Sequence, residues 1–118
     1  MKSLFLFVLL VPALALAQTR GDMQCKSAGK DLIFDCVLRL ASGDEPLEGA
    51  VTVSAEMPAM PGEHSSKPVK ARKGDGPGEY RVRLDLDMPG EWDVKVRAAG
   101  KVLVLHYLFS ERGARRRR

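Results

Sequence analysis

The chain has 118 residues, which is enough for one domain and too short for two. Its formal net charge of +4 comes from the terminal run Arg115 to Arg118, because the positive and negative charges of the remaining chain balance. The domain itself is not basic and has no face of interleaved aromatic and basic residues, so we expect no nucleic-acid binding. The terminal arginines are predicted to be a solvated, disordered tail that can contact anionic membrane headgroups.

The first 17 residues have the pattern of a secretory signal peptide. Lys2 supplies a positive charge, residues 4–16 are apolar apart from Pro12, and Ala15-Leu16-Ala17 is a cleavage site of the small-x-small type. The apolar run is shorter than the roughly 20 residues that a membrane-spanning helix needs. We therefore expect a periplasmic or secreted protein that begins near residue 18. The alternative is an uncleaved segment that anchors the protein to the inner membrane.

Short runs of alternating apolar residues, separated by Gly and Pro, predict an all-β fold for the rest of the chain. The expected architecture is a single antiparallel β-sandwich over residues 18–111, followed by the tail at residues 112–118. Pro68 marks the fourth strand as an edge strand, because proline cannot donate to a sheet ladder. About seven strands are predicted, at residues 23–27, 32–40, 50–56, 66–72, 79–87, 92–98 and 101–109.

The only two cysteines, Cys25 and Cys36, both lie in the predicted first hairpin. A loop centred on Lys30 and Asp31 brings these cysteines directly opposite each other, where cross-strand β-carbons are about 4.5–5.5 Å apart. An exported protein folds in an oxidising compartment, which favours a disulfide. The alternative is a pair of buried thiols.

Two similar segments contain most of the remaining chemistry. The first is Met57-Pro58-Ala59-Met60-Pro61-Gly62-Glu63-His64, and the second is Met88-Pro89-Gly90-Glu91-Trp92. Successive loops of an up-and-down sandwich lie at alternate ends, so these third and fifth loops are predicted to share one end. Thioether and imidazole together suit copper, and thioethers favour Cu(I). The predicted metal ligands are Met57, Met60, His64 and Met88.

A structural interpretation competes with this metal site. Met57 and Met88 continue the inward phase of their strands, where a flexible thioether fills the end of a core. His106 alternates with Val104 and Leu108 in the last strand and is predicted to be structural. The sequence has no nucleophile elbow and no paired carboxylates beside an obvious pocket, so we expect a protein that is not an enzyme.

The segments "EPLEGAVTVSAEMPAMPGEH" and "GPGEYRVRLDLDMPGEWDVKV", with the hydrophobic last strand, resemble the YtkA-like and FixH-like domains of bacterial envelopes. The resemblance covers roughly residues 30–105, and it implies an immunoglobulin-like β-sandwich. It also implies an envelope accessory protein for copper handling or cytochrome oxidase assembly, with an envelope protein or a copper-dependent enzyme under assembly as partner. The chain departs from FixH proper in its short N-terminal apolar run. The alternative function is a structural or protein-interaction module that binds no metal.

Overall fold

The computed structural model describes residues 18–60 and 64–117; the predicted signal peptide lies outside these ranges. Within them the chain has no helix, and thus none that is long and apolar enough to cross a membrane. The described residues form ten β-strands: β1 (Thr19–Ser27), β2 (Ile33–Ser42), β3 (Glu45–Pro46), β4 (Val51–Glu56), β5 (Val69–Lys70), β6 (Arg72–Lys73), β7 (Glu79–Asp85), β8 (Gly90–Ala98), β9 (Lys101–Ser110) and β10 (Gly113–Arg117).

These strands pair into two antiparallel sheets that pack face to face. The first sheet has the order β1-β2-β7-β6, with β3 paired to the end of β2, and the second has the order β10-β9-β8-β4-β5. The residues that face the other sheet alternate with exposed ones along the long strands, as in β7, where Tyr80, Val82 and Leu84 are buried. The predicted all-β sandwich is confirmed.

The number of strands is about ten, and the prediction of about seven was too low. In place of the predicted fourth strand there are two short ones: β5, which pairs with β4, and β6, which pairs with β7 in the other sheet. Ala71 lies buried between these strands, and its N–H donates to the Val51 carbonyl at 2.8 Å. The chain therefore crosses from one sheet to the other at a small residue that fits within the core. Regular pairing begins only after Pro68, which has no N–H to donate.

Aromatic side chains occupy the centre of the core between the sheets. The rings of Phe34 in the first sheet and Phe109 in the second have centroids 5.0 Å apart and are tilted by 53°. Trp92 is 1% exposed and is the largest of the fully buried side chains. The remaining fully buried side chains are aliphatic apart from Cys36: Leu38, Val51, Val53, Leu84, Val94, Val96 and Leu105. Their burial supplies the main stabilisation of the fold.

Tyr107 joins the two sheets where β9 lies beside β1. Its hydroxyl accepts a hydrogen bond from the Met23 N–H at 3.0 Å and donates one to the Met23 carbonyl at 2.5 Å. Burial raises the pKa of Tyr107, so the hydroxyl stays protonated and able to donate. The edge of β1 thus has its buried polar groups at Met23 satisfied by a side chain of the opposite sheet.

The first hairpin has the predicted register, with Cys25 opposite Cys36. The two residues form a disulfide, which confirms the predicted bond. The bond spans a sequence separation of 11 residues. In the chain-entropy model, closure of so short a loop stabilises the folded state by roughly 3 kcal/mol at most.

The prediction of a disordered basic tail at residues 112–118 was wrong for the residues described. Gly113–Arg117 form β10, which pairs with β9 from Gly113 opposite Ser110 to Arg117 opposite His106. Ala114 packs against the core, Arg116 contacts Asp22 at 3.3 Å, and Arg117 forms an ion pair with Glu91. Without β10, β9 would be a long hydrophobic edge strand, which is an unfavourable arrangement in a soluble sheet.

Deletion of residues 113–118 is therefore expected to destabilise the domain. The deletion removes one side of the β9 ladder and the contacts of Ala114. We expect a loss of at least about 1 kcal/mol, which corresponds to about 4–8 °C in melting temperature for a domain of this size. Calorimetry or thermal circular dichroism measures this change.

The matched control is the triple variant Arg115→Gln, Arg116→Gln, Arg117→Gln, which removes charge but leaves the backbone of β10 in place. Because exposed ion pairs contribute little, its melting temperature is expected to stay close to that of the wild type. An unchanged melting temperature in the deletion variant would show that β10 adds nothing to stability.

Candidate functional site

The loop after β4 contains three of the four predicted metal ligands and is closed at its base by hydrogen bonds. The Met57 N–H donates to the His64 carbonyl at 3.2 Å, and the Met60 N–H donates to the Met57 carbonyl at 3.1 Å. One step further, Glu56 forms an isolated antiparallel bridge with Ser65. His64 is therefore held beside the end of β4. Residues 61–63 lie outside the described ranges.

The second methionine segment is the turn between β7 and β8, at residues 86–89. The Leu86 N–H donates to the Leu32 carbonyl at 3.0 Å, which ties the turn to the first hairpin. At its other side, the Trp92 indole Nε1–H donates to the Met88 carbonyl at 3.1 Å. A core residue thus fixes the backbone of the turn next to Met88.

The loop and the turn meet at one end of the sandwich, as the alternation of loops predicted. His64 Nδ1 lies 2.7 Å from Asp87 Oδ2. The side chain of Met57 reaches Gly90, where an added Cβ would lie 2.8 Å from Met57 Cε. Gly90 has a φ of 140°, a conformation that also favours glycine. We name this region the methionine end and define it by Met57, Met60, His64, Asp87 and Met88.

The three methionines of this end differ in burial. Met57 is 5% exposed and belongs to the core, where it continues the inward phase of β4. Met60 and Met88 are half-buried and pack against the core. The core interpretation therefore describes Met57 well, whereas the thioethers of Met60 and Met88 lie nearer the surface.

His64 is oriented by the carboxylate of Asp87. An ionised carboxylate only accepts hydrogen bonds, so the His64 nitrogen that faces it, Nδ1, bears the proton. In the neutral ring the lone pair then belongs to Nε2. A carboxylate that holds one ring nitrogen while the other binds a metal is the usual outer-shell arrangement of metal-ligating histidines.

His106 makes a second histidine–aspartate pair, with Nδ1 2.6 Å from Asp93 Oδ1. This pair lies on the outer face of the second sheet, beside the exposed Val104, and the His106 side chain is 57% exposed. The sequence predicted a structural histidine among apolar neighbours. Val104, His106 and Leu108 do share one face of β9, but this is the outer face, where His106 is exposed and paired with Asp93. His106 has no methionine partner in its strand and serves as a comparison for His64.

Asp87 is the member of the methionine end that the sequence interpretation missed. It is the last residue of the predicted strand at residues 79–87 and directly precedes Met88. The same alternation that brings Met88 beside the loop also brings Asp87 there. The sequence did contain a signal for Asp87: it is a carboxylate directly next to a candidate ligand, in a turn predicted to share one end with the loop of Met60 and His64.

Other possible metal ligands are limited in the part of the chain that the structure describes. Cys25 and Cys36 are joined to each other and are not available as thiolates. Within residues 18–60 and 64–117, no group of three or more His, Cys, Asp and Glu side chains is arranged to hold a metal ion. Metal binding at the methionine end would thus depend on thioethers together with His64.

The tautomer of His64 provides a test of this geometry. In the neutral ring we expect the proton on Nδ1 and the lone pair on Nε2, which the ¹⁵N chemical shifts of the imidazole report directly. Asp87→Ala removes the acceptor and is expected to shift the ring toward the Nε2–H form. Asp93→Ala, the matched control at His106, should leave His64 unchanged. A predominant Nε2–H form in the wild type would contradict the orienting role of Asp87.

Comparison with known proteins identifies the family. No curated protein and no solved structure matches the chain. A family model described as YtkA-like matches residues 23–97, which is more than half of the chain and runs from within β1 to the penultimate residue of β8. The matched region includes the disulfide, the loop with Met60 and His64, and the turn with Met88. The chain therefore belongs to the YtkA-like family.

Proposed function

We propose that this protein is an accessory protein of the cell envelope that binds copper, preferentially Cu(I), at the methionine end. The ligands are the thioethers of Met60 and Met88 and the Nε2 atom of His64. The observation that supports this site most directly is the 2.7 Å contact of His64 Nδ1 with Asp87, at the place where the two methionine segments meet. This contact leaves the outer ring nitrogen available to a metal.

The chemistry of this donor set favours copper over other common metals. Thioethers are soft, neutral ligands that suit Cu(I), whereas Zn(II) is usually bound by thiolates, imidazoles and carboxylates. Imidazole serves copper in either oxidation state. Met57 is buried, and its side chain packs against Gly90, which follows the turn that contains Met88.

The charge around this end also favours the approach of a cation. A shallow cavity of about 690 Å³ next to the turn is lined by four acidic residues and one lysine. The acidic residues are Asp31, Asp85, Asp87 and Glu111. Such a concentration of carboxylates raises the local concentration of cations and speeds their association.

Export and partners complete the proposed role. Residues 1–17 have the features of a cleaved signal peptide, which supports a periplasmic or secreted location; an uncleaved anchor in the inner membrane is the alternative. The proposed partner is an envelope protein or a copper-dependent enzyme under assembly. The proposed role of this protein is to bind copper for that partner and not to catalyse a reaction. Arg115 and Arg117 of β10 are exposed and offer a contact to anionic membrane headgroups.

One observation favours a second candidate function, that of a protein-interaction module without a metal. Met60 and Met88 pack against the core and are only partly exposed, as expected of a flexible apolar surface that adapts to a partner. In this case the methionine end would contact a protein of the envelope directly.

A competition titration with a Cu(I) chelator separates the two functions. The wild type is expected to retain Cu(I), and the variant Met60→Ala with His64→Ala is expected to release it while its circular dichroism stays that of a β-sandwich. Asp87→Ala, which removes only the orienting carboxylate, is expected to weaken copper binding by about 10–100-fold.

The controls are His106→Ala and Asp93→Ala, which disrupt the comparable histidine–aspartate pair outside the methionine end. Both are expected to bind Cu(I) like the wild type. Failure of the wild type to compete with the chelator, or equal binding by the double variant, would contradict the copper site and favour the interaction module.

A further inference from the structure

The outer face of the first sheet contains a groove with an excess of positive charge. It is bounded by β1, β2, β6 and β7, and its volume is about 850 Å³. Four cationic side chains line it together with a single carboxylate, that of Asp35; the cations are Lys26, Arg72, Arg81 and Arg83. We name this feature the arginine groove and define it by these five residues.

Strand register places the five residues in two neighbouring rows across the sheet. In one row Lys26 of β1 is opposite Asp35 of β2, which is opposite Arg83 of β7. In the next row Arg81 of β7 is opposite Arg72 of β6. Asp35, Arg81 and Arg83 alternate with buried residues along their strands, and Lys26 and Arg72 are cross-strand partners in the same rows, so the side chains share the outer face of the sheet.

The single carboxylate of the groove is already engaged by one of the cations. Arg83 Nε and Nη2 donate to the two oxygens of Asp35 at 2.8 and 3.2 Å, a bidentate pair. Hydrogen bonding to Arg83 lowers the pKa of Asp35, and the charges of Arg83, Lys26 and Arg72 lower it further. Lys26 and Arg72 thus lie near this carboxylate, yet neither forms an ion pair with any residue that the structure describes.

The second row presents two like charges to each other. Arg72 and Arg81 are direct cross-strand partners, an arrangement that is unfavourable for like charges without a counterion. Arg81 Nη2 contacts Asp75 at 2.8 Å, but the Asp75 side chain is 90% exposed and lies in the turn before β7. An anion between the two guanidinium groups would relieve their repulsion.

We propose that the arginine groove binds an oxyanion of the phosphate type, held by Arg72 and Arg81 with Lys26 alongside. A guanidinium group presents its N–H donors in a planar fork that matches two oxygens of a phosphate. The two guanidinium groups come from β6 and β7, and the ammonium group of Lys26 comes from β1. The groove is open enough to admit a phosphate attached to a larger molecule. This phosphate group belongs either to a soluble molecule or to an anionic phospholipid.

The arginine groove is independent of the methionine end. None of its five residues belongs to the methionine end, and they occupy the outer face of the first sheet over β1, β2, β6 and β7. Loss of the anion site therefore leaves copper binding unchanged, and loss of the copper site leaves anion binding unchanged.

The test uses two probes: inorganic phosphate followed by chemical-shift titration, and sedimentation with vesicles of phosphatidylglycerol and phosphatidylcholine. The wild type is expected to bind at least one probe, with an affinity that falls as salt is added. Arg72→Gln with Arg81→Gln is expected to reduce the affinity at least about tenfold, because it removes two charged hydrogen-bonding groups. Arg72→Gln alone changes only an exposed edge strand and is expected to give a smaller loss of affinity. This single variant tests the site if the double variant does not fold.

The matched control is Lys70→Gln with Arg97→Gln, which removes the same number of charges from the outer face of the second sheet and is expected to bind like the wild type. Binding of phosphate alone identifies a soluble ligand, and binding that requires phosphatidylglycerol vesicles identifies a lipid headgroup. Absence of binding to both probes, or an equal loss in the control variant, overturns the site.

Discussion

The indole of Trp92 links the packing of the core to the geometry of the methionine end. Its ring lies between the sheets with almost no exposure, and its only polar atom donates to the Met88 carbonyl at 3.1 Å. A buried indole without such an acceptor would be costly, so the position of the turn is coupled to that of the core. The backbone next to Met88 therefore depends on the same residue that fills the centre of the sandwich.

Met57 extends this coupling to the neighbouring loop. It continues the inward phase of β4 toward Gly90, where even one added methyl group would lie 2.8 Å from its Cε. His64 is then held by the base of the loop on one side and by Asp87 on the other. Two loops far apart in sequence are thus fixed against each other by side-chain packing and one hydrogen bond. Such rigidity would hold the ligands of the proposed copper site in position before a metal binds.

The sequence predicts the parts of this fold that depend on local periodicity. The alternation in residues 79–87 and 92–98 identifies buried faces, and the spacing of Cys25 and Cys36 around a turn identifies their pairing. The alternation of loops at the two ends correctly brings His64 near the turn that contains Met88. These features follow from strand geometry, which is regular along the chain.

Other features depend on contacts that local patterns do not reveal. Nothing in residues 66–72 indicates that Ala71 enters the core and divides the strand between two sheets. A run of arginines has no strand pattern, and β10 forms because β9 offers it an unpaired edge. The hydrogen bond between Asp87 and His64 likewise joins two segments far apart in sequence, so the pattern within either segment alone does not reveal it.

Methionine methyl resonances provide the most direct test of the proposed copper site. Addition of Cu(I) to protein labelled with ¹³C at the methionine ε-methyl groups is expected to shift the signals of Met60 and Met88. The signal of Met23 is expected to stay in place, because Met23 is buried in β1 beside Tyr107. Unchanged signals for Met60 and Met88, or an equal shift of Met23, would contradict a copper site at the methionine end.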